Sequence, residues 1–363
     1  MPPLEAWEKV LVNYSKFAET IHGRVGCMIC HGGDSSEQEM EAAHQGLVAD
    51  PSEGNCDTCH SDIAQVNVTS LHTTLSGFIS KLEARGGNLE EGSPLDQALN
   101  NHCMTCHTSC GQCHVSRPTT LGGGLISGHV FRGTPSTQYS CYGCHGARVG
   151  DEYLGKNVGI PADVHWVKGG MTCTGCHSQE IHGACELSAD RYHNEASVSC
   201  DDCHQDVWTD TAGNPQHEQH LNEFTCQVCH SVEYKSCYNC HAYLGEEGKP
   251  TISSDPSTMG FKIGLNPLRS AQSPYKYVVL RHPPVIASTF DYYGENLLPD
   301  FDAMPTWKYA TPHNIQLHTP QNESCNSCHG NIDLFLTEED LSPAEKEANK
   351  DVIVPEIPSI LPW

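Results

Sequence analysis

The chain has 363 residues, with 20 basic and 45 acidic side chains, a net charge of −25 and only 37 % hydrophobic residues. Such an acidic surface repels nucleic acid and anionic lipid, and no apolar run approaches the roughly 18 residues of a membrane span. Low apolar content with 32 Gly and 22 Pro argues against two or three conventional cores, and 21 Cys with 23 His set the remaining agenda.

In chain order, residues 1–26 predict an amphipathic helix, because Leu4, Trp7, Val10, Leu11, Tyr14 and Phe17 recur at three and four. A first Cys-x-x-Cys-His follows at Cys27, Cys30 and His31, and a second at Cys56, Cys59 and His60. Between these and the next copy, 71–82 predicts another helix and 86–88 a Gly-Gly-Asn turn.

From residue 103 the motif crowds. Copies three to six are Cys103, Cys106 and His107, then Cys110, Cys113 and His114, then Cys141, Cys144 and His145, then Cys173, Cys176 and His177. Copies seven to nine are Cys200, Cys203 and His204, then Cys226, Cys229 and His230, then Cys237, Cys240 and His241. A stretch of 83 residues then lacks it, with one strand expected at 275–281, before the tenth copy at Cys325, Cys328 and His329. The stretch carries His282, His313 and His318, which suggests that it reaches back to supply ligands. A short acidic helix is expected from about Ser342, and an apolar, proline-punctuated end at 352–363 must dock, on its own subunit by default or on a neighbour.

Two thiols two residues apart can bond the two vinyl groups on one edge of a haem, and the adjacent histidine can ligate its iron. Zinc and disulfide scaffolds also use many cysteines, but neither requires a histidine directly after every pair. With 23 His in 363 residues, ten such coincidences have odds on the order of 10⁻¹². The sequence therefore predicts ten covalent haem c groups. About 36 residues per haem is too little protein to wrap each one separately, so the haems must pack on one another and act as the core.

Twenty cysteines enter the motifs and Cys185 is left over, to be buried and inert, paired with another chain, or a soft iron ligand. Thirteen histidines lie outside the motifs, enough to give every iron a second imidazole. The ten selected as second ligands are His22, His44, His72, His129, His165, His182, His217, His220, His282 and His313. His102 abuts Cys103 and is awkward for that haem, and His193 and His318 read as surface residues. Met40, Met171, Met259 or Met304 could serve instead, but imidazole is plentiful. An iron with two imidazoles passes electrons only, whereas one that binds substrate needs an open position.

On the ten motifs, the tight pairs at Cys103/Cys110 and Cys226/Cys237 and the surplus histidines, the chain resembles the bis-histidine multihaem c-type cytochromes of respiratory and extracellular electron transfer. Loops 129–146 and 311–335 are similar to octahaem relatives of hydroxylamine oxidoreductase and tetrathionate reductase. The chain lacks the strand-like sequence of outer-membrane decahaem cytochromes and has no Cys-x-x-Cys-Lys.

The resemblance implies a multihaem cytochrome c fold, mostly loops with short α-helices and few strands, organised around a stacked chain of ten haems. Segments are expected at 1–100 (two haems), 101–245 (a dense seven), 246–333 (the ligand-supplying insertion and the last haem) and 334–363 (the docking tail). It implies an extracytoplasmic electron conduit, periplasmic, at the cell surface or extracellular, with a leader no longer in this sequence. Its partners would be redox proteins or extracellular acceptors, with a homopolymeric filament as an extended form. A multihaem oxidoreductase acting on a small nitrogen or sulfur compound at one open haem, and a storage protein, are the other readings. The crowded 103–114 stretch would form a rigid junction between neighbouring haems.

Overall fold

Each Cys-x-x-Cys-His tends to begin a short helix, because a hydroxyl side chain often stands directly before its first cysteine. In the computed structural model Ser109 accepts from the Gln112 N–H ahead of Cys110–His114, and Ser324 from Ser327 ahead of Cys325–Cys328. Cys27–His31, Cys173–Cys176 and Cys226–His230 are likewise single helical turns. The second motif opens the longest helix, Asp57–Asn67, which kinks at its own His60.

Two motifs depart from the expected short α-helix. In the seventh, only Cys200–Asp202 forms a turn, of the tighter 3₁₀ kind, and Cys203 ends it by donating its N–H to Cys200 O at 3.2 Å. Ser199 Oγ accepts the Asp201 N–H while the Asp202 carboxylate accepts the Ser199 N–H, a reciprocal cap at the start of this turn. In the ninth, Cys240 and His241 lie in a strand, paired with Ser254 and Ser253.

The structure describes residues 4–52, 54–104, 109–177, 181–183, 198–209, 213–233, 239–255, 259–271 and 273–362. Cys106, His107, Cys185, His193 and Cys237 lie outside them. The described chain divides into two interleaved units, so each draws on several of the sequence segments.

The first unit comprises Met1–Ser76, Cys103–Gly146 and Thr172–Glu186. Its single expected N-terminal helix is instead three turns, Ala6–Lys9, Tyr14–Ala18 and Ile21–Val25. Asn13 and Thr20 cap the second and third through their side chains, and a local cap competes with helix continuation. Phe17 is buried while Trp7, Val10, Leu11 and Tyr14 are exposed, so the apolar periodicity does not describe one buried stripe. The second expected helix is also broken, into Leu71–Thr74 and Ser76–Glu83, at Leu75, whose φ is +51°.

The second unit comprises Gly77–His102, Ala147–Met171 and Leu187–Trp363. It holds two antiparallel sheets. One is the hairpin β1 (Asn239–Leu244) and β2 (Pro250–Asp255). The other has the order β3 (Gly260–Leu265), β4 (Tyr277–His282), β5 (Lys308–Tyr309). β4 matches the expected strand to within two residues at its start and one at its end.

Successive β4 residues face opposite sides, and both sides are apolar. Val279 packs with Val228, Ile263, Ala310, Phe335 and Val354, and Val278 and Leu280 pack with Trp307, Leu336, Leu341 and Val352. This unit therefore has a conventional peptide core, contrary to what composition argues. Low average hydrophobicity conceals it because the apolar residues are concentrated in short runs far apart in sequence.

The C-terminal segment completes that core. The Val354 N–H donates to Leu336 O and the Leu265 N–H to Val352 O, so the apolar end docks on its own chain. The expected acidic helix is one turn, Lys346–Asn349. No helix among the described residues is long and apolar enough to cross a membrane.

Candidate functional site: paired imidazoles

Seven motif histidines each face a histidine from outside the motifs. In the first unit the pairs are His31 with His129, His60 with His22, His114 with His182 and His145 with His72, with ring centroids 5.9, 6.2, 6.0 and 6.1 Å apart. In the second they are His204 with His165, His230 with His217 and His329 with His220, at 5.9, 6.1 and 6.2 Å.

That spacing is compatible with a metal shared between the rings. Stacked rings can sit closer, as His22 does on Phe131 with centroids 3.9 Å apart, while a tilted pair in ordinary contact, Tyr153 and Trp166, lies at 6.1 Å. A metal bound about 2 Å from one nitrogen of each ring, with each nitrogen ~1.1 Å from its ring centre, puts the centroids about 6 Å apart. The interplanar angles run from 17° to 89°, as rotation about a metal–nitrogen axis permits.

The outer ring nitrogens are tied down in a way that aims the inner ones. Nδ1 of His31, His114, His230 and His329 is hydrogen-bonded to the carbonyls of Val48, Arg132, Gln316 and Ser359 at 2.7, 2.6, 3.1 and 3.1 Å. On the facing side, His220 Nδ1 meets Gln216 O at 2.8 Å and His165 Nδ1 meets the carboxylate of Asp163 at 2.8 Å. An Nδ1–H donated to an acceptor leaves the lone pair on Nε2, the tautomer a metal requires.

Electrostatics favour the same form. Burial lowers the pKa of His22, His182 and His217, and the facing His60, His114 and His230 lower it further. His129 is lowered by burial too, and its backbone has a φ of +77° beside Gly128 at +66° and Ser127 at +56°. A non-glycine residue in that region is strained, and such strain clusters where a side chain is held for function. A Cβ on Gly128 would lie 2.7 Å from Asn13 Cβ, so the loop must pass that helix as glycine.

Thiols of different motifs also approach one another. In the first unit Cys56 lies near Cys110 and Cys30, Cys113 near Cys144 and Cys141 beside Cys173. Those contacts join motifs one, two, four, five and six. In the second unit Cys200 lies beside Cys226 and Cys229 near Cys328, which joins motifs seven, eight and ten. Burial pushes the Cys113 and Cys229 thiols up to about 11, so they are protonated at neutral pH. Every described cysteine is free of disulfides.

The motif thiols differ in exposure. Among the described residues Cys27, Cys59, Cys176, Cys203 and Cys240 are exposed. Cys203 shows the reason most plainly. Its partner Cys200 is the thiol that meets Cys226, whereas Cys203 stands at the end of the capped turn, on the outer side of the contact. The polypeptide alone therefore half-buries one member of this motif and leaves the other exposed.

The fourth motif is the hub of its unit, through Cys110 on one side and Cys113 on the other. Asp50 accepts from Ser109 Oγ at 2.6 Å and Gly111 N–H donates to Ser52 Oγ at 2.9 Å, which pins it to the loop before motif two. Its close neighbour, motif three, has Cys106 and His107 outside the described residues, so the expected junction within 103–114 lies partly there.

Seven of the ten selected second ligands thus face a motif imidazole. His44 is exposed at the end of Met40–Ala43, and His282 Nε2 is hydrogen-bonded to Glu345 at 2.6 Å. The His313 N–H donates to Glu152 at 2.7 Å. Of the motif histidines, His241 Nε2 lies 3.2 Å from Asp255, and His177 lies close enough to Cys173 to act on its thiol. His102, set aside in sequence, is hydrogen-bonded to the Tyr293 hydroxyl at 2.9 Å, and His318 is exposed.

Sequence reasoning missed Asp163 and Phe131. Asp163 was within reach, since an aspartate two residues before His165 is a helix N-cap and accepts the His165 N–H at 2.7 Å. Phe131 gave no signal: only folding places it against both His22 and His129. No group of three or more potential metal-binding side chains occurs among the described residues, so the arrangement is one of imidazole pairs rather than tetrahedral cages. The chain matches no family model, no curated protein and no solved structure.

Proposed function

We propose that this chain is an electron-transfer protein carrying ten covalent haem c groups, with at least seven irons held between two imidazoles. The observation that carries the reading is the seven pairings, each joining one motif histidine to one histidine from elsewhere at 5.9–6.2 Å. Ten motif pairs of cysteines would form the thioether links, through Cys27/Cys30 to Cys325/Cys328. When bound, the group supplies one-electron iron chemistry at a closed coordination sphere.

The chain's own part is to fix geometry. Short helices present the thiols, backbone carbonyls orient the proximal imidazoles, and loops such as 127–131 bring the distal ones over. Adjacent thiols place neighbouring attachment points together, so that electrons can pass from one site to the next within each unit. Exposed apolar side chains concentrated in the first unit, among them Ile21, Met28, Ile29 and Val66, suit an environment covered by large apolar rings, as do exposed motif thiols such as Cys59 and Cys203.

Partners would be redox proteins or extracellular electron acceptors, and the site would be extracytoplasmic, where thioether attachment occurs in the cytochromes the chain resembles. A filament of such subunits extends the same reading. The test is the purified protein: its mass should exceed that of the polypeptide by ten haems, and its spin-resonance spectrum should be dominated by low-spin bis-imidazole signals. A protein with no covalent haem would overturn the proposal.

A second reading, an oxidoreductase with one open haem, draws on a single observation. His241 lies in a strand with Nε2 toward Asp255, unlike the seven paired motif histidines. Carbon monoxide binding by the reduced protein would favour it, and a spectrum unchanged by carbon monoxide would exclude it.

A further inference from the structure

Four cations gather at one edge of the second unit, in a chain whose net charge is −25. Arg281 on β4 and Lys308 on β5 are directly opposed in the strand register. Residues directly opposite in an antiparallel pair project to the same side, where like charges repel. Arg85 and Lys81 join them, close enough that, after burial, all three neighbours act to lower the Lys308 pKa to about 8.

Two of its members, Arg85 and Lys308, also lack an ionic partner among the described residues. Lys262, on the neighbouring strand, has Asp340 at 3.0 Å, as an ordinary strand lysine should. The Arg85 side chain is nine-tenths buried, stacks over Phe301 at 5.2 Å, and donates from Nη1 to Lys81 O at 3.0 Å. Its Nε is buried with no hydrogen-bond partner. A buried guanidinium donor left open costs stability unless a ligand completes it.

The location adds a second point. Arg281 and Lys308 extend the sheet face that carries Val279 and Ala310, and Cys229 and Cys328 of motifs eight and ten pack against that same cluster. We infer that Lys81, Arg85, Arg281 and Lys308 form a cradle for an anion of the carboxylate or phosphate class. Guanidinium forks suit the planar pairs of oxygens such anions present, and an ammonium adds a point charge. The anion has two sources, the carboxylates of a prosthetic group held by the same unit or a free anion such as phosphate. The first source rests on the function proposed above; the second does not.

Two measurements on the full-length purified protein separate the sources. Lys308→Met and Arg85→Met are compared with wild type, and Lys308→Arg serves as the charge-preserving control for folding. If the carboxylates are the protein's own, Lys308→Met lowers the midpoint of one haem by about a tenfold change in its redox equilibrium, Lys308→Arg does not, and inorganic phosphate leaves the melting temperature unchanged. If the anion is free, inorganic phosphate raises the melting temperature of wild type above that in chloride of equal ionic strength, and this response is lost in both methionine variants.

The inference is overturned if Lys308→Met is more stable than wild type, with unshifted potentials and with no phosphate response in either protein, since the cluster would then be simple repulsion. Absence of haem would remove the first source alone and leave the phosphate measurement to decide.

Discussion

Asp163 grips His165 twice: one carboxylate oxygen accepts both the His165 backbone N–H, at 2.7 Å, and its ring Nδ1–H, at 2.8 Å. The other oxygen accepts the Ile315 N–H at 2.8 Å, and the carboxylate is almost wholly buried. Among the imidazole pairs with a hydrogen-bonded Nδ1, this acceptor is a carboxylate where five others are main-chain carbonyls. Replacing it as Asp163→Asn leaves one acceptor for three donors, which should cost about 1–3 kcal/mol in urea unfolding. A carboxylate acceptor also makes the imidazole a stronger donor to a metal. The midpoint of one haem should therefore rise in Asp163→Asn by about 59 mV, one tenfold step for a single electron.

His22 faces His60 across 6.2 Å, whereas His318 is exposed. His22→Ala should convert one haem of the purified protein from low spin to a carbon-monoxide-reactive form. His318→Ala should leave both the spin-resonance spectrum and carbon monoxide titration as in wild type.

Phe335 is 1 % exposed, at the centre of the cluster with Val228, Ile263 and Val279. Phe335→Ala should lower stability by about 3–5 kcal/mol, through lost burial and the cavity left behind. Val158, fully exposed, should tolerate alanine to within about 0.5 kcal/mol in the same urea titration.

Glu345 sits among donors. Burial alone would raise its pKa, but hydrogen bonds from Ser342, Thr306 and His282 outweigh burial and hold it at about 2. Its folded pKa thus lies below the unfolded value near 4.5, so its stabilisation is complete above pH 4.5 and is lost as pH falls towards 2. The core it serves with Asn349 and Trp307 should lose stability over that window. Glu345→Gln should be less stable than wild type at pH 7 and should flatten the acid dependence, as read by thermal melting at each pH.

The motif is legible because it is local. Cys-x-x-Cys-His puts two thiols and an imidazole close together on the backbone, and Ser109 or Ser324 caps the turn from the next position in sequence. The form of each turn is less legible, since the capped turn at Cys200–Asp202 is 3₁₀ while the capped turn at Cys325–Cys328 is α-helical. β4 is legible as an apolar run bounded by turn residues. Periodicity misreads the N-terminal helix because it cannot see Asn13 and Thr20 compete for the backbone. The peptide core of the second unit escapes it because the members, from Val228 to Val354, are scattered over more than a hundred residues.

By itself, then, the sequence determined which residues are available for the proposed chemistry: ten cysteine pairs, the histidine after each, and a surplus of further imidazoles. Only the tertiary structure decided that His129 answers His31 from 98 positions away while His22 answers His60. It also decided that Cys56 lies near Cys110, and that Cys200 rather than the exposed Cys203 lies beside Cys226. The reason is physical. The Cys-x-x-Cys-His spacing is local along the backbone, which sequence states directly, whereas the histidine that faces it depends on which loop can cross the gap. That is set by backbone strain at residues 127–129, by carbonyls such as Val48 and Arg132, and by buried groups such as Asp163.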